Sequence, residues 1–170
     1  MGYGQQPSSP FRCTGVHAAD AMVMAHVMCR QRGTRLTALR RAVLETRHNA
    51  GRPLGAYDLI PRLAKALGRR PTPQTVYRTL DFLREQGLVS RIESRSAYVP
   101  CTDPAGPDAC VFFLCESCGV AMEVESPDLD EVIVRDAASL GFRIGKRVLE
   151  LHGTCAQCLA PTAAPATGAL

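Results

Sequence analysis

The stretch TPQTVYRTLDFLREQG, residues 72–87, carries the clearest structural signal in the chain. Thr72 suits the position before a helix, where its hydroxyl can accept a backbone N–H, and Pro73 suits the first helical turn. Gly87 suits the position just after a helix, where a left-handed backbone is common. Apolar residues recur on one helical face of this stretch: Val76, Leu80 and Leu83. We therefore predict a capped helix that buries one face and exposes the other.

Helical patterns precede this stretch and a hairpin follows it. Three further helices are predicted at residues 17–32, 37–48 and 56–67. Pro61 is expected to weaken or bend the third of them, because proline removes a backbone donor. Two short strands are predicted at residues 88–92 and 97–99, joined by the polar turn Glu93-Ser94-Arg95-Ser96. This order predicts a winged helix-turn-helix, in which the capped helix enters the major groove of DNA and the hairpin lies along the backbone.

The second half of the sequence predicts a small α/β domain, which makes the whole chain α+β. Four strands are predicted, at residues 111–114, 120–124, 142–144 and 147–151. A helix is predicted to begin near Pro127 and to end at Gly141. Its inward stripe is predicted to comprise Leu129, Val132, Ile133 and Leu140.

Composition and charge separate the two halves. The chain has 170 residues, a net charge of +4 and no Trp. Residues 1–94 carry +9 and residues 95–170 carry −5. A basic half predicts contact with a polyanion. The sequence contains no run of about 18 apolar residues and no apolar leader. We therefore expect no membrane partner and a cytoplasmic location.

Two Cys-x-x-Cys pairs flank the second half, Cys115 with Cys118 and Cys155 with Cys158. Each pair can place two thiolates on a tight turn, and four sulfurs in a tetrahedron suit Zn²⁺. The strand–helix–strand between the pairs must fold before they can meet. Two disulfide-prone pairs or a redox site are alternatives. The reduced thiols of a cell interior favour structural zinc.

Several motifs resemble those of the ferric uptake regulator superfamily across about residues 20–160. They are Leu36-Thr37-x-x-Arg40, Ala56-Tyr57-Asp58-Leu59, Thr75-Val76-Tyr77-Arg78, Glu85-Gln86-Gly87-Leu88-Val89 and the paired Cys-x-x-Cys. Two details favour the zinc-sensing branch: Cys101 directly after the wing, and Cys110-Val-Phe-Phe-Leu114 where iron-sensing members carry a His-rich run. The resemblance implies a homodimer that binds palindromic operator DNA when zinc is bound and represses zinc-uptake genes.

Candidate DNA contacts cluster at the start of the capped helix. Arg78 and Tyr77 lie there, and Arg is suited to bidentate contact with guanine. The resemblance implies that the matching Arg acts on purines and that the residue matching Tyr57 approaches DNA, although burial of Tyr57 stays an equal alternative. A half-buried place in the helical core is the alternative for Tyr77. Thr75 is a further candidate. Six arginines are candidate phosphate contacts, which would add affinity without sequence choice: Arg40, Arg41, Arg69, Arg70, Arg91 and Arg95. Plain solvation is the alternative for each of these arginines.

The resemblance also implies a second, regulatory zinc at the hinge between the domains. Cys101 and Glu123 match two of its ligand positions. Asp108 and Cys110 fall at alternative alignments of a loop ligand that is normally His. Ser90 stands where His or Asp is expected, and a neutral hydroxyl is a poor zinc ligand. We predict a sensor site of Cys101, Cys110, Asp108 and Glu123, and thus two zinc ions per chain.

Other assignments near the sensor site stay open. Glu93 or His152 could also be a ligand of the sensor zinc. His152 better suits a supporting position behind Cys155. Cys110 has an alternative reading as a small buried apolar residue.

The rival functions are a sibling sensor, an enzyme and a redox switch. An iron or peroxide sensor of the same superfamily is disfavoured because soft thiolates suit zinc better than ferrous iron. A zinc hydrolase would need an open coordination position and a general base; no HExxH is present, and Glu123 is the sole candidate base. A switch through the Cys-x-x-Cys pairs would be a secondary function. We expect no enzymatic activity and no small organic substrate.

The chain is expected to divide into five segments. These are a flexible tail (1–15), a winged-helix DNA-binding domain (16–99), a hinge loop (100–109), an α/β dimerisation and metal-binding domain (110–160) and a second flexible tail (161–170).

Overall fold

The computed structural model describes residues 18–101, 110–145 and 147–159. Both predicted tails and most of the hinge loop, with Asp108, lie outside the described residues. We call residues 18–101 the N-terminal half, and residues 110–145 with 147–159 the C-terminal half. The N-terminal half contains helices α1 (Ala18–Gln31), α2 (Ala38–His48), α3 (Ala56–Leu67) and α4 (Pro73–Glu85), with strands β1 (Leu54–Gly55), β2 (Val89–Ile92) and β3 (Ala97–Pro100).

The predicted capped helix is confirmed as α4. The Thr72 hydroxyl accepts the backbone N–H of Thr75 at 3.3 Å, and Pro73 opens the helix. Gly87 follows the helix with a φ of 69°, a left-handed conformation that glycine adopts without a Cβ clash. The predicted inward stripe is fully buried, at 0% exposure for Val76, Leu80 and Leu83. The cap and the buried stripe together fix the direction in which α4 presents its other face.

The N-terminal half has its own aliphatic core, and its three strands form a sheet of order β1-β3-β2. Strand β1 was missed by the sequence analysis; Leu54 pairs with Tyr98 and Gly55 with Ala97. Two residues are too short a segment for an alternating pattern to show. Helix α3 continues through Pro61 to Leu67.

The C-terminal half contains strands β4 (Cys110–Cys115), β5 (Ala121–Glu125) and β6 (Leu149–Gly153), with helices α5 (Pro127–Ser139) and α6 (Ala156–Leu159). The sheet order is β5-β4-β6. Strand β4 pairs antiparallel with β5 and parallel with β6. The parallel pair requires a crossover, which α5 provides. The strand predicted at residues 142–144 is wrong: the chain there is irregular, and Phe142 is 66% exposed.

The predicted burial of the α5 stripe is also wrong within one chain. Helix α5 has no buried residue, and the exposed fraction is 38% for Leu129, 40% for Val132 and 81% for Leu140. Only Ile133 is half-buried among the four predicted residues. Helical spacing establishes that a stripe exists, but a second layer must cover it. The described part of one chain does not supply that layer.

The two halves meet through a small apolar cluster. It joins Ile92 and Val99 of the first sheet to residues of the second: Phe112, Leu114 and Ala121. No helix in the described part of the chain has the length and apolarity to cross a bilayer.

Candidate metal centres and nucleic-acid interface

The four cysteines predicted as zinc ligands converge in the C-terminal half. Their sulfur atoms all lie within 4.8 Å of one another, and those of Cys118 and Cys155 are 3.7 Å apart. A tetrahedral zinc with bonds of about 2.3 Å would space its sulfurs by about 3.8 Å, so the arrangement fits that ion. All four cysteines are free in this structure. We call Cys115, Cys118, Cys155 and Cys158 the four-cysteine cluster.

Strand pairing brings these residues together. Cys115 ends β4 and lies beside Gly153, the last residue of β6. The parallel register therefore delivers the second Cys-x-x-Cys to the end of β4 that carries the first. The backbone N–H of Cys155 donates to the Cys115 sulfur at 3.4 Å. Gly119 closes the first turn with a φ of 76°.

The four-cysteine cluster favours ionisation of one thiol and opposes ionisation of another. Backbone hydrogen bonds from Cys118 and Cys155 lower the pKa of Cys115 to about 6. Hydrogen bonds to the neighbouring thiols Cys155 and Cys118 raise the pKa of Cys158 to about 12. Four negative sulfurs at this separation need a cation, because each added thiolate repels the others. The electrostatics thus match a divalent, thiophilic ion.

A second polar cluster lies between the halves. The Ser90 hydroxyl on β2 donates to Glu123 Oε1 on β5 at 3.2 Å, and the Cys101 sulfur lies 4.0 Å from the same oxygen. Glu123 is only 6% exposed. Cys101 and Glu123, two predicted sensor ligands, are therefore adjacent, and Ser90 joins them. We call these three residues the interdomain cluster.

The remaining sensor candidates divide between described and undescribed positions. Asp108 and the side chain of Cys110 lie outside the described residues, although the Cys110 backbone pairs with Glu125 at the start of β4. His152 lies near other groups, with its nitrogens 3.8 Å from Glu116 Oε1 and 4.0 Å from Glu150 Oε2. Among the described residues, only the four-cysteine cluster groups three or more metal-ligating side chains.

The turn of the β2–β3 hairpin is held by the C-terminal half. Glu150 accepts the backbone N–H of Glu93 at 2.6 Å and that of Ser94 at 3.2 Å. The Arg95 guanidinium donates to the carbonyls of Gly119 at 3.0 Å and Cys115 at 2.9 Å. We call these contacts the hairpin clamp. Arg95 thus ties the hairpin to the turn of the four-cysteine cluster, and its contact with phosphate stays a prediction.

Sequence reasoning missed the hairpin clamp. Its partners are separated by as many as 57 residues, so no local pattern joins them. The one available signal is Glu150 itself, a single acid between Leu149 and Leu151 in a strand. Burial at 8% side-chain exposure opposes its ionisation, but hydrogen bonds from Ser94 and Glu93 outweigh this, and its pKa falls below the usual value.

Two tyrosines mark the exposed face beside α4. Tyr57 is 68% exposed and Tyr77 is 41% exposed, so the burial alternative for Tyr57 is wrong. Their rings meet edge to face, with centroids 6.3 Å apart. Arg78 and Thr75 are exposed on the same first turns of α4.

Two further predicted phosphate contacts, Arg70 and Arg40, differ in their surroundings. Arg70 is exposed in the loop before α4. The Arg40 guanidinium lies 3.2 Å from the centre of the Phe82 ring and donates to the Arg35 carbonyl. Arg40 thus packs α2 against α4, and its contact with DNA stays a prediction.

A helix with exposed Arg and Tyr beside a β-hairpin, joined to a sheet that carries four convergent thiols, defines a winged-helix protein with a metal-binding second half. Comparison with known proteins agrees with this class. The family profile described as the ferric uptake regulator family matches residues 31–152. The chain belongs to that family.

Two curated relatives illustrate the likeness. The zinc uptake regulation protein of Escherichia coli K12 is 36% identical over 143 residues, which cover 82% of each chain. The peroxide operon regulator of Bacillus subtilis 168 is 30% identical over 148 residues, covering 83% of this chain and 95% of the relative.

Two solved structures share the fold at similar identity. A zinc uptake regulator complexed with zinc and DNA superposes with a TM-score of 0.79 at 35% identity, covering 84% of this chain and 95% of that one. The structure of holo XcZur gives a TM-score of 0.76 at 36% identity, covering 85% of this chain and 100% of that one.

Proposed function

We propose that this protein is a zinc-responsive transcriptional repressor of zinc-uptake genes that binds palindromic operator DNA as a homodimer. The observation that carries the proposal is its likeness, over 84% of the chain, to a zinc uptake regulator bound to both zinc and DNA. The four-cysteine cluster and the exposed tyrosine–arginine face give that likeness a chemical basis in this chain. It acts in the cytoplasm, and we assign it no catalytic residue.

The four-cysteine cluster would hold a structural zinc. When bound, the ion supplies the positive charge that lets four thiolates share one small space. Cys115 at the end of β4 and Cys155 before α6 are buried, while Cys118 and Cys158 close the site from the solvent side. The site therefore fastens the end of β4 to the chain that follows β6.

The interdomain cluster would hold the regulatory zinc, giving two ions per chain. Cys101 and Glu123 offer a soft sulfur and a carboxylate, both accepted zinc ligands. Cys110 and Asp108 are the proposed further ligands. The Ser90 hydroxyl donates a hydrogen bond to Glu123 and so orients the carboxylate, a supporting contact that suits a residue too weak to be a ligand.

Zinc dependence would follow from where these residues lie. Cys101 follows β3 at the end of the hairpin, and Glu123 belongs to the C-terminal half. Ligands shared between the halves favour the arrangement in which both are docked. In a dimer, that arrangement sets the spacing of the two α4 helices relative to successive major grooves. A coupling of roughly 1–3 kcal/mol would change operator affinity by about 5–150-fold.

The DNA face would combine sequence reading with phosphate contact. Arg78 and Tyr77 at the start of α4 would approach base edges, with Thr75 beside them. Tyr57 braces Tyr77 edge to face and extends the surface toward α3. Arg70 and Arg40 would contact phosphates.

Dimerisation would use the exposed apolar side of the C-terminal half. Apolar side chains there are exposed on α5 and on the sheet, including Leu129, Val132, Phe113, Val124 and Leu151. Several exposed apolar side chains on one half of a chain are typical of a protein interface. A second copy would supply the layer that α5 lacks.

Substitution of Cys101 by Ser tests the sensor. We expect Cys101→Ser to retain structural zinc and dimerise, yet to lose zinc-stimulated binding to DNA selected from a random pool in the presence of zinc. Anisotropy titrations against buffered free zinc measure this. Cys29→Ala, in α1 and outside both clusters, controls for loss of a thiol. Unchanged zinc stimulation in Cys101→Ser would refute the sensor assignment.

An iron or peroxide sensor of the same family is the second candidate, and the likeness to the peroxide operon regulator supports considering it. The same titration with ferrous iron and manganese separates the two. Activation by zinc at the lowest free concentration supports the zinc sensor. Preferential activation by ferrous iron would establish the alternative.

A further inference from the structure

Arg47 on α2 is a buried cation, and no described residue offers its guanidinium an acceptor. The residue is 1% exposed, and none of its three guanidinium nitrogens has a hydrogen-bond partner in the described part of the chain. A charge taken from water without replacement of its hydrogen bonds is strongly destabilising. The fold therefore leaves buried donors on Arg47 that need a hydrogen-bond acceptor.

The charged side chains around Arg47 do not neutralise it. Burial and the nearby charge of Arg62 lower its pKa to about 10, and the carboxylate of Asp58 opposes that change. The guanidinium stays protonated at neutral pH. Burial and the charge of Arg47 also lower the pKa of the adjacent His48. The local field remains positive.

A cavity lies beside Arg47. Its lining includes Arg47, His48, Arg52, Val99, Pro100 and Ala121. Its volume is about 20 Å³, whereas one water needs roughly 10–15 Å³ on the same measure. The space therefore suits one water-sized or slightly larger particle.

We propose that this cavity, the Arg47 pocket, binds a small monatomic anion of the size of chloride. The anion would accept hydrogen bonds from the guanidinium, with Arg52 adding positive charge at the exposed side. The lining comes from both halves, since Val99 and Pro100 belong to β3 and Ala121 to β5. An occupied pocket would thus favour docking of the two halves.

Thermal unfolding of the zinc-loaded full chain, in chloride or in gluconate at equal ionic strength, tests the pocket. We expect the wild-type midpoint to rise by about 2–4 °C in chloride, the shift that modest ligand binding gives a chain of this size. Arg47→Met should show no rise. In gluconate it should melt no lower than the wild type, because the apolar side chain removes an unmet charge.

Arg41→Met is the matched control, because Arg41 is exposed on the same helix and pairs with Glu45 at 3.7 Å. It should keep the full chloride response. An equal response in wild type and Arg47→Met would overturn the proposal, as would no response in the wild type. If Arg47→Met does not fold, crystals of the wild type grown in bromide decide: an anomalous peak within hydrogen-bonding distance of the guanidinium supports the pocket, and its absence overturns it.

Discussion

The two halves of the molecule differ in the interactions that stabilise them. The N-terminal half packs α1–α4 and its sheet around a continuous core that includes fully buried Leu59, Leu63 and Leu80. The C-terminal half has an α5 without a buried residue and four thiols converging at one end of its sheet. The first half is stabilised mainly by apolar burial within one chain. The second half buries less within one chain, and we propose that a bound ion and a second copy complete it.

The largest expected effect comes from removing the four-cysteine cluster. Cys155→Ser should unfold the C-terminal half and abolish dimerisation, because structural zinc contributes about 10–16 kcal/mol in small zinc domains. Hydrogen exchange should lose protection across β4–β6 while residues in α2 and α4 keep theirs. Equal loss of protection in both halves would contradict the contrast drawn here. Cys29→Ala serves again as the thiol control.

A smaller effect is expected from a core truncation. Leu80→Ala, at a position with 0% exposure, should lower the free energy of unfolding by about 2–5 kcal/mol. Leu140→Ala, at 81% exposure, should change it by less than about 0.5 kcal/mol in the monomer. Urea titrations of both variants, at protein concentrations low enough to populate the monomer, measure this difference. Similar losses would show that the two apolar sets are equally buried in solution.

Next in size is the hairpin clamp that joins the halves. The two carboxylate oxygens of Glu150 each accept one backbone N–H. Glu150→Gln replaces one of these oxygens by an NH₂ donor. It should lower the free energy of unfolding in urea at pH 7 by about 1–3 kcal/mol. The pKa of Glu150 lies below its usual 4.5, so its contribution is present above that pH and is lost as the pH falls through the lowered value. The difference between wild type and Glu150→Gln should therefore shrink in acid. A constant difference would show that ionisation of Glu150 is not the cause.

The smallest expected effect compares the two helix caps. Thr72→Ala should cost about 0.5–2 kcal/mol, because its hydroxyl caps α4. Ser126 stands at the same position of α5 but makes no side-chain cap bond, so Ser126→Ala should be nearly neutral. Denaturant midpoints of the two variants provide the test. An equal cost would mean that the Ser126 hydroxyl caps α5 in solution.

Local patterns predicted the local features. Thr72, Pro73 and Gly87 are within one helix length of the residues they influence, so the bounds of α4 followed from sequence. The convergence of the Cys-x-x-Cys pairs was also predictable, because four cysteine sulfurs together suit a single zinc ion. Strands β4 and β5 were also predicted, because the apolar pattern of each strand lies within the strand itself.

Contacts between distant residues could not be predicted in this way. Ser90 and Glu123 are 33 positions apart, and their hydrogen bond depends on how two sheets dock. The stripe of α5 was recognised, but periodicity does not state whether the chain or a second copy covers it. Burial of Arg47 was likewise invisible, since an Arg in a helix is ordinarily an exposed residue.

The edge-to-face tyrosine pair has a practical consequence. The chain contains no Trp and four Tyr, so tyrosine dominates its near-ultraviolet fluorescence. Tyr98 is buried, whereas Tyr57 and Tyr77 lie together on the open surface beside α4. Quenching of this tyrosine fluorescence by DNA bases would measure operator binding without an attached dye.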